Sequence, residues 1–181
     1  MLVIGGSAGS IEVLLKILPL IKHDLTIALV IVLHRKSSTD SSLSDLFSTR
    51  TAIPAKEVED KERVQPGTIY LAPADYHLLF EKNYSFSLDF SEKVNYSRPS
   101  IDVAFESASD IFGAGLTCLL LSGANADGVK GMKIAKHNGG QLAVQDPRTA
   151  DSSYMPQHAL LENDVDVILS VEEIAPFINT L

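Results

Sequence analysis

Apolar residues near the start of the chain alternate between continuous runs and a helical spacing. Residues 1–4 and 25–33 are almost wholly apolar, as expected of strands that are buried on both faces. Between them, apolar residues at positions 11, 14, 15 and 18 share one helix face, and Pro19 ends that helix. The pattern predicts a strand, a helix and a second strand that belong to a parallel sheet.

The remainder of the chain continues this alternation after an irregular middle segment. Residues 53–90 hold short strand-like pieces (69–72, 78–81 and 85–90) separated by turn residues, which predicts a hairpin-rich insertion or an antiparallel edge. We predict four further helices: one that starts at 42–45, one from Pro99 to Gly113, one that follows residue 128 and ends near His137, and one over 172–178. We predict further strands over 116–121, 141–145 and 165–169. The predicted fold is α/β: a doubly wound, mostly parallel sheet with helices on both faces and an antiparallel hairpin-like edge.

Composition narrows the class of protein. The 181 residues suffice for one domain, spanning 1–181. The balance of 15 Lys and Arg against 23 Asp and Glu gives a net charge of −8, which argues against a nucleic-acid partner. The longest apolar run, residues 27–33, is too short to span a membrane. Cys118 is the single cysteine and cannot form an internal disulfide, which fits the reducing cytoplasm.

Three polar residues each follow a predicted buried strand. Ser7 follows the first, His34 the second, and Asp127 comes shortly after the third. Ligands of open parallel sheets bind at the carboxyl ends of the strands, so we expect these side chains to converge there. Together they have the chemical types of a nucleophile, a general base and a carboxylate that orients the base.

The sequence around Ser7 supports a hydrolase but does not prove one. Residues 5–9 read Gly-x-Ser-x-Gly between a strand and a helix, the pattern of a nucleophile turn. Nucleotide sites share this strand–turn–helix arrangement, although the G-x-G-x-x-G spacing and the P-loop Gly-Lys-Ser/Thr are both missing. His158 is an alternative base, since it gives the order Ser, Asp, His of ordinary α/β-hydrolases, but it lies in a helix-like segment after Pro156.

Longer motifs occur in a fixed order over nearly the whole chain. They resemble the C-terminal catalytic domain of CheB-type chemotaxis methylesterases, whose pattern runs Ile-Gly-x-Ser-x-Gly-Gly, strand-Gln-His, Ala-Pro-x-x-x-His, Arg-Pro-Ser-x-Asp, Thr-Gly-Met-Gly-x-Asp-Gly and a late Met-Pro. The matching segments here are Ile4-Gly-Gly-Ser7-Ala-Gly-Ser10, Leu33-His34, Ala72-Pro-Ala-Asp-Tyr-His77, Arg98-Pro-Ser-Ile-Asp102, Ser122-Gly-Ala-Asn-Ala-Asp127-Gly128, Gln145-Asp-Pro147 and Met155-Pro156.

The resemblance implies a function and assigns roles. It implies a serine esterase that hydrolyses glutamate γ-methyl esters on chemoreceptors and also deamidates receptor glutamines, without a cofactor or a metal. The nucleophile, base and orienting acid fall on Ser7, His34 and Asp127, and the oxyanion and substrate vicinity includes Ala8, Ala124 and His77. The expected partners are the cytoplasmic domains of methyl-accepting chemoreceptors, with no membrane insertion. The family's regulatory receiver domain is absent from this chain.

The departures from the family pattern leave alternatives open. Ser10 replaces a glycine of the turn, and Ala124 replaces a methionine while keeping the backbone N–H expected to hold the oxyanion. His77 either lines the cleft or belongs to the hairpin. One alternative is a catalytically silent homologue that binds a receptor or another signalling partner, and another is a nucleotide-binding domain.

Overall fold

The computed structural model of the chain describes residues 1–35 and 42–181. Its strands are β1 (Leu2–Gly6), β2 (Leu29–Leu33), β3 (Ala55–Glu57), β4 (Ile69–Leu71), β5 (His77–Phe80), β6 (Phe86–Asp89), β7 (Thr117–Leu120), β8 (Gln141–Gln145) and β9 (Val167–Leu169). Its helices are α1 (Ser10–Ile17), α2 (Ser42–Ser48), α3 (Ile101–Phe112), α4 (Val129–His137), α5 (Tyr154–Glu162) and α6 (Val171–Ile178). None of these described helices is long and apolar enough to cross a lipid bilayer.

Within these residues, seven strands form one parallel sheet in the order β3-β4-β2-β1-β7-β8-β9. From β1 the chain forms β2, then the edge strand β3, and then β4 between β2 and β3; it returns to form β7 beside β1 and builds outward through β8 and β9. The doubly wound α/β fold predicted from the alternation of strands and helices is thereby confirmed. The direction of winding reverses between β1 and β7, and such a reversal opens a crevice at the carboxyl ends of the strands.

Two apolar layers cover the two faces of the sheet. Successive strand residues point to opposite faces, so Val3 contributes to one layer while Leu2 and Ile4 contribute to the other. Helices α3, α4 and α5 cover the first face, and α1, α2 and α6 cover the second. Strands β1, β2 and β7 are buried along their whole length, which explains why their sequences are continuously apolar.

The irregular middle segment divides between two sheets. Strands β5 and β6 form an antiparallel hairpin, as predicted, but this hairpin is a separate two-stranded sheet that packs against α3. The prediction that residues 69–72 belong to the hairpin-rich insertion is wrong, because β4 pairs in parallel with β2 on one side and β3 on the other. A strand of three buried residues is too short for its periodicity to reveal which sheet it joins.

The first turn of α3 begins later than the position of Pro99 suggested. Ser100 is the residue that caps the helix, and its hydroxyl accepts a hydrogen bond from the backbone N–H of Val103. The helix therefore starts at Ile101. Its first backbone N–H groups face the carboxyl end of the sheet and donate hydrogen bonds to a side chain there.

The packing of α4 on α3 yields a test of the fold. A Cβ atom on Gly131 would lie 2.7 Å from the carbonyl oxygen of Asp102 and 2.8 Å from the Cβ of Phe105. We expect Gly131→Ala to force the helices apart and to lower the free energy of unfolding by about 1–3 kcal/mol, measured by urea denaturation. In Gly115→Ala the new methyl group meets no heavy atom within 4 Å, so that control should change stability by no more than about 0.5 kcal/mol. Equal effects of the two substitutions would contradict this packing.

Candidate active site

The ends of β1, β2 and β7 meet at one edge of the sheet. Gly6 on β1 pairs with Leu33 on β2, and the backbone N–H of His34 donates to the carbonyl oxygen of Gly6 at 3.2 Å. Ser7 and His34 are therefore the next residues on two adjacent strands. On the other side of β1, the backbone N–H of Ser7 donates to the carbonyl oxygen of Ser122 at 2.9 Å, which ties the loop after β7 to Ser7.

Two side-chain hydrogen bonds and one glycine fix the turn that carries Ser7. Gly9 has a φ of 82°, a left-handed conformation that glycine adopts without steric cost, and it allows α1 to begin at Ser10. The hydroxyl of Ser10 donates to the carbonyl oxygen of Ser7. The hydroxyl of Ser122 donates to the carbonyl oxygen of Ala8 at 2.7 Å. These bonds fix the backbone around Ser7 and leave its side chain half-buried at the strand end.

A short hydrogen bond joins His34 to Asp127. The His34 Nε2 and Asp127 Oδ2 atoms are 2.7 Å apart, and the Asp127 side chain is fully buried. The start of α3 supplies the other partners of this carboxylate: the N–H of Ile101 at 2.7 Å, the N–H of Asp102 at 3.2 Å and the hydroxyl of Ser100 at 2.8 Å. The carboxylate therefore lies at the positive end of the α3 dipole, which stabilises its charge.

The pKa values of two neighbouring carboxyl groups, Asp127 and Asp102, are shifted in opposite directions. Burial by itself raises the pKa of Asp127, but the hydrogen bonds from His34, Ile101 and Ser100 outweigh it, so the pKa of Asp127 lies below its usual value. Burial and the nearby charge of Asp127 raise the pKa of Asp102. The amide of Asn95 donates to both, at 2.8 Å to Asp102 and 3.2 Å to Asp127. Asp127 is therefore the carboxyl group that keeps its charge.

The charge on Asp127 decides where His34 holds its proton. A carboxylate only accepts hydrogen bonds, so the Nε2 atom that faces Asp127 must carry a hydrogen. The neutral ring then has its lone pair on Nδ1, which is the atom able to accept a proton. The pair therefore has the geometry and the protonation pattern of a general base with its orienting acid.

Asn125 lies beside His34 and was not predicted as a site residue from the sequence. Its side-chain nitrogen is 3.3 Å from His34 Nδ1, and its side-chain oxygen accepts the backbone N–H of Asp127 at 3.1 Å. The available signal was a departure from the family pattern, which has glycine at this position of the 122–128 motif. Ser100 and Asn95, the other two side chains bonded to Asp127, were also missed, and Asn95 carried no recognisable signal.

The predicted oxyanion residues are both exposed. Ala8 follows Ser7 directly, and Ala124 lies in the loop that Ser122 ties to Ser7. No hydrogen bond from either backbone N–H is found within residues 1–35 and 42–181. An oxyanion site requires backbone N–H groups of this kind, without a partner in the described part of the chain.

The other predicted histidines occupy structural environments. His77 is buried, its Nδ1 accepts the backbone N–H of Ser100 at 3.2 Å, and its Nε2 bonds the carbonyl oxygen of Glu92 at 3.0 Å. This favours the alternative that placed His77 in the hairpin, where it also positions the cap of α3. His158 lies on α5 and stacks on the ring of Tyr154 with centroids 3.9 Å apart, whereas Asp127 bonds His34.

A cavity of about 340 Å³ opens on the His34 side of the site. Three cationic side chains and one carboxylate line it, and its lining does not include Ser7. Among the described residues, no group of three or more His, Cys, Asp or Glu side chains is arranged to hold a metal ion. The lining residues are His34, Arg35, Asp75, Lys93, Tyr96, Ser97 and Arg98.

Comparison with known proteins identifies the family of the chain. The family model described as CheB methylesterase matches residues 2–178. The chain belongs to the CheB methylesterase family. Its fold matches the crystal structure of the Thermotoga maritima CheB methylesterase catalytic domain with a TM-score of 0.95 at 31% identity, covering 99% of this chain and 96% of that one.

Curated members of the CheB methylesterase family carry names that match the predicted activity. A protein of Leptospira interrogans, named putative protein-glutamate methylesterase/protein-glutamine glutaminase, is 44% identical over 174 residues, which are 96% of this chain and 90% of that protein. The protein-glutamate methylesterase/protein-glutamine glutaminase of Thermotoga maritima is 31% identical over 175 residues, which are 95% of this chain but 51% of that protein. The chain thus spans about half of the Thermotoga relative and most of the Leptospira one.

The lowered pKa of Asp127 predicts how the stability of an Asp127 variant, relative to the wild type, changes with pH. The ionised carboxyl contributes stability that is present above about pH 4 and is lost as the pH falls through the folded-state pKa. We expect Asp127→Asn to fold but to lose about 1–3 kcal/mol of unfolding free energy at pH 7, because the amide cannot satisfy all of the donors around it. Urea denaturation should show this deficit shrinking as the pH falls below about 4.

The matched control for that measurement is Asp164→Asn. The Asp164 side chain is 94% exposed, so its substitution should change stability little at any pH. A deficit of Asp127→Asn that stays constant down to pH 2 would contradict the assignment of the charge to Asp127.

Proposed function

We propose that this chain is a protein-glutamate methylesterase. It acts as a serine esterase on the γ-methyl esters of glutamate side chains in the cytoplasmic domains of chemoreceptors, and it deamidates receptor glutamines by the same route. Residues 1–181 work as a single catalytic domain in the cytoplasm. The observation that carries this proposal is the 2.7 Å bond between His34 and the buried Asp127 at the strand end next to Ser7. The names of the relatives support the choice of ester.

Acylation begins at the hydroxyl of Ser7. The Ser7 Oγ atom attacks the ester carbonyl carbon while His34 Nδ1 accepts its proton, and Asp127 stabilises the resulting imidazolium through Nε2. The tetrahedral intermediate then expels the methoxy group, which takes the proton from Nδ1 and leaves as methanol. The product of this half-reaction is an ester between Ser7 and the glutamate side chain.

Deacylation repeats the same proton transfers with water. His34 Nδ1 accepts a proton from a water molecule, whose oxygen attacks the carbonyl carbon of the acyl-enzyme. When the second tetrahedral intermediate collapses, Ser7 Oγ leaves and recovers its proton from Nδ1. A free glutamate carboxyl group is released. A glutamine side chain follows the same two steps, with ammonia in place of methanol.

Backbone N–H groups stabilise the negative oxygen of both intermediates. Ala8 and Ala124 present exposed N–H groups near Ser7, as described above. In serine hydrolases, donors of this kind contribute about two to three orders of magnitude to the rate. Because a main-chain donor does not depend on the side chain, replacement of the family's methionine by Ala124 preserves this function.

The charges beside the site favour an acidic protein as substrate. Arg35, Lys93 and Arg98 line the cavity next to His34 together with one carboxylate, Asp75, although the whole chain carries a net charge of −8. A local excess of cations on an acidic protein attracts acidic surfaces and repels basic ones. Such a site would draw binding energy from residues around the scissile ester, and that energy orients the ester against Ser7.

The first test of this proposal asks whether Ser7 and His34 act as one catalytic unit. We expect Ser7→Ala and His34→Ala each to lower methanol release by roughly 10⁴–10⁶, and the double variant to be little slower than either. His158→Ala is the matched control, because this half-buried imidazole stacks on Tyr154 and should be dispensable. Losses that add up in the double variant, or a dead His158→Ala protein beside an active His34→Ala protein, would reject the assignment.

The second test concerns the substrate. We expect kcat/KM to be far higher for a methylated receptor fragment than for free glutamate γ-methyl ester at matched ester concentration, because the free ester lacks contacts beyond the reacting group. Added salt should lower kcat/KM for the fragment and leave the free ester almost unaffected, since salt screens charges on the cavity rim. Equal values would favour a small-ester hydrolase. Binding of the fragment without methanol release would favour a silent homologue.

A further inference from the structure

The side chain of Asn125 faces the basic nitrogen of His34. The two ends of its amide are an oxygen and an NH₂ group, and the backbone N–H of Asp127 identifies which of them faces His34. That N–H is a donor and lies 3.1 Å from one end, so this end must be the oxygen. The NH₂ end is then the group 3.3 Å from His34 Nδ1.

The NH₂ group of Asn125 can only donate, so it needs a lone pair on Nδ1. The ring supplies that lone pair because its hydrogen is on Nε2, facing Asp127. Both nitrogen atoms of the imidazole thus have side-chain partners, Asp127 at Nε2 and Asn125 at Nδ1. The neutral ring has one acceptor site, and in the proposed mechanism Ser7 needs the same site.

We propose that Asn125 caps the general-base nitrogen of His34, so that Ser7 is fully activated only when the amide is displaced from Nδ1. Asn125 is in this sense a positioning residue that acts through His34, and the proposal rests on the proposed function. It restrains the hydrolase in the absence of substrate and couples activation of Ser7 to occupation of the site.

The surroundings of Asn125 support this role. Its side chain is half-buried and is anchored in a turn by Asp127, so it is held against the ring rather than free in solvent. The charged group bonded to the ring is Asp127 at Nε2, and the charged residues that line the cavity beside His34 are Arg35, Asp75, Lys93 and Arg98. Glycine, which the family pattern has at this position, offers no side chain that reaches Nδ1.

The test measures how fast an aryl sulfonyl fluoride labels Ser7 in the whole chain at neutral pH. The serine side chain in Asn125→Ser can still accept the backbone N–H of Asp127 but is too short to reach Nδ1. We expect this variant to be labelled about three- to tenfold faster than the wild type, which corresponds to the loss of one hydrogen bond. Asn125→Asp cannot donate to Nδ1 and favours the charged ring, so it should be labelled more slowly.

A matched control separates capping from damage to a turn. Asn83 accepts the backbone N–H of Ser85 at 3.2 Å in the same kind of turn, and it adjoins Tyr84, which packs near Met1 and Ile27 at the opposite end of the sheet. Asn83→Ala should be labelled at the wild-type rate. An Asn125→Ser protein labelled at the wild-type rate or more slowly would overturn the proposal.

A second readout distinguishes failure of the cap from failure of the triad. The ¹⁵N resonance of His34 Nδ1 reports whether its lone pair accepts a hydrogen bond, and it should move toward the position of an uncapped neutral imidazole in Asn125→Ser. If labelling of Ser7 did not require His34, shown by an unchanged rate in His34→Ala, the proposed function would fail. The cap itself would be refuted by an Nδ1 resonance that does not move.

Discussion

The buried charge of Asp127 is the constraint around which the site is built. An ionised carboxylate in a protein interior is costly unless hydrogen bonds replace its lost water. The start of α3 and the imidazole of His34 provide those bonds. Helix α3, one of the three helices on its face of the sheet, therefore begins at this edge, where its first N–H groups reach the carboxylate. The same requirement holds His34 in one orientation, so stability and chemistry depend on one group.

The neighbouring Asp102 shows how the structure keeps that charge in place. Its pKa is raised while the pKa of Asp127 is lowered, so the two carboxyl groups do not compete equally for a proton. Asn95 donates to both and joins them. Because Asp127 stays ionised, the hydrogen of His34 stays on Nε2, and Nδ1 keeps its lone pair. The amide of Asn125 faces that lone pair, which is the basis of the proposed cap.

The sequence allowed the strand–helix order and the position of Ser7, His34 and Asp127 at strand ends to be predicted, because continuous apolar runs mark buried parallel strands. It could not place β4, since three residues carry no usable periodicity. The hydrogen bonds of Asn95, Ser100 and Asn125 could not be predicted either, although the departure from the family's glycine marked Asn125 as unusual. Each of these bonds joins segments that only the folded sheet brings together, such as the contact of Asn125 with His34 across 91 positions of sequence.

The most direct measurement of the central claim is a crystal structure of the protein after reaction with a fluorophosphonate ester, which imitates the tetrahedral intermediate. We expect a covalent bond from phosphorus to Ser7 Oγ, with the phosphoryl oxygen within about 3 Å of the backbone nitrogens of Ala8 and Ala124. His34 should keep its bond to Asp127 and present Nδ1 to the adduct. An adduct on another residue, or one on Ser7 whose phosphoryl oxygen points away from both N–H groups, would contradict it.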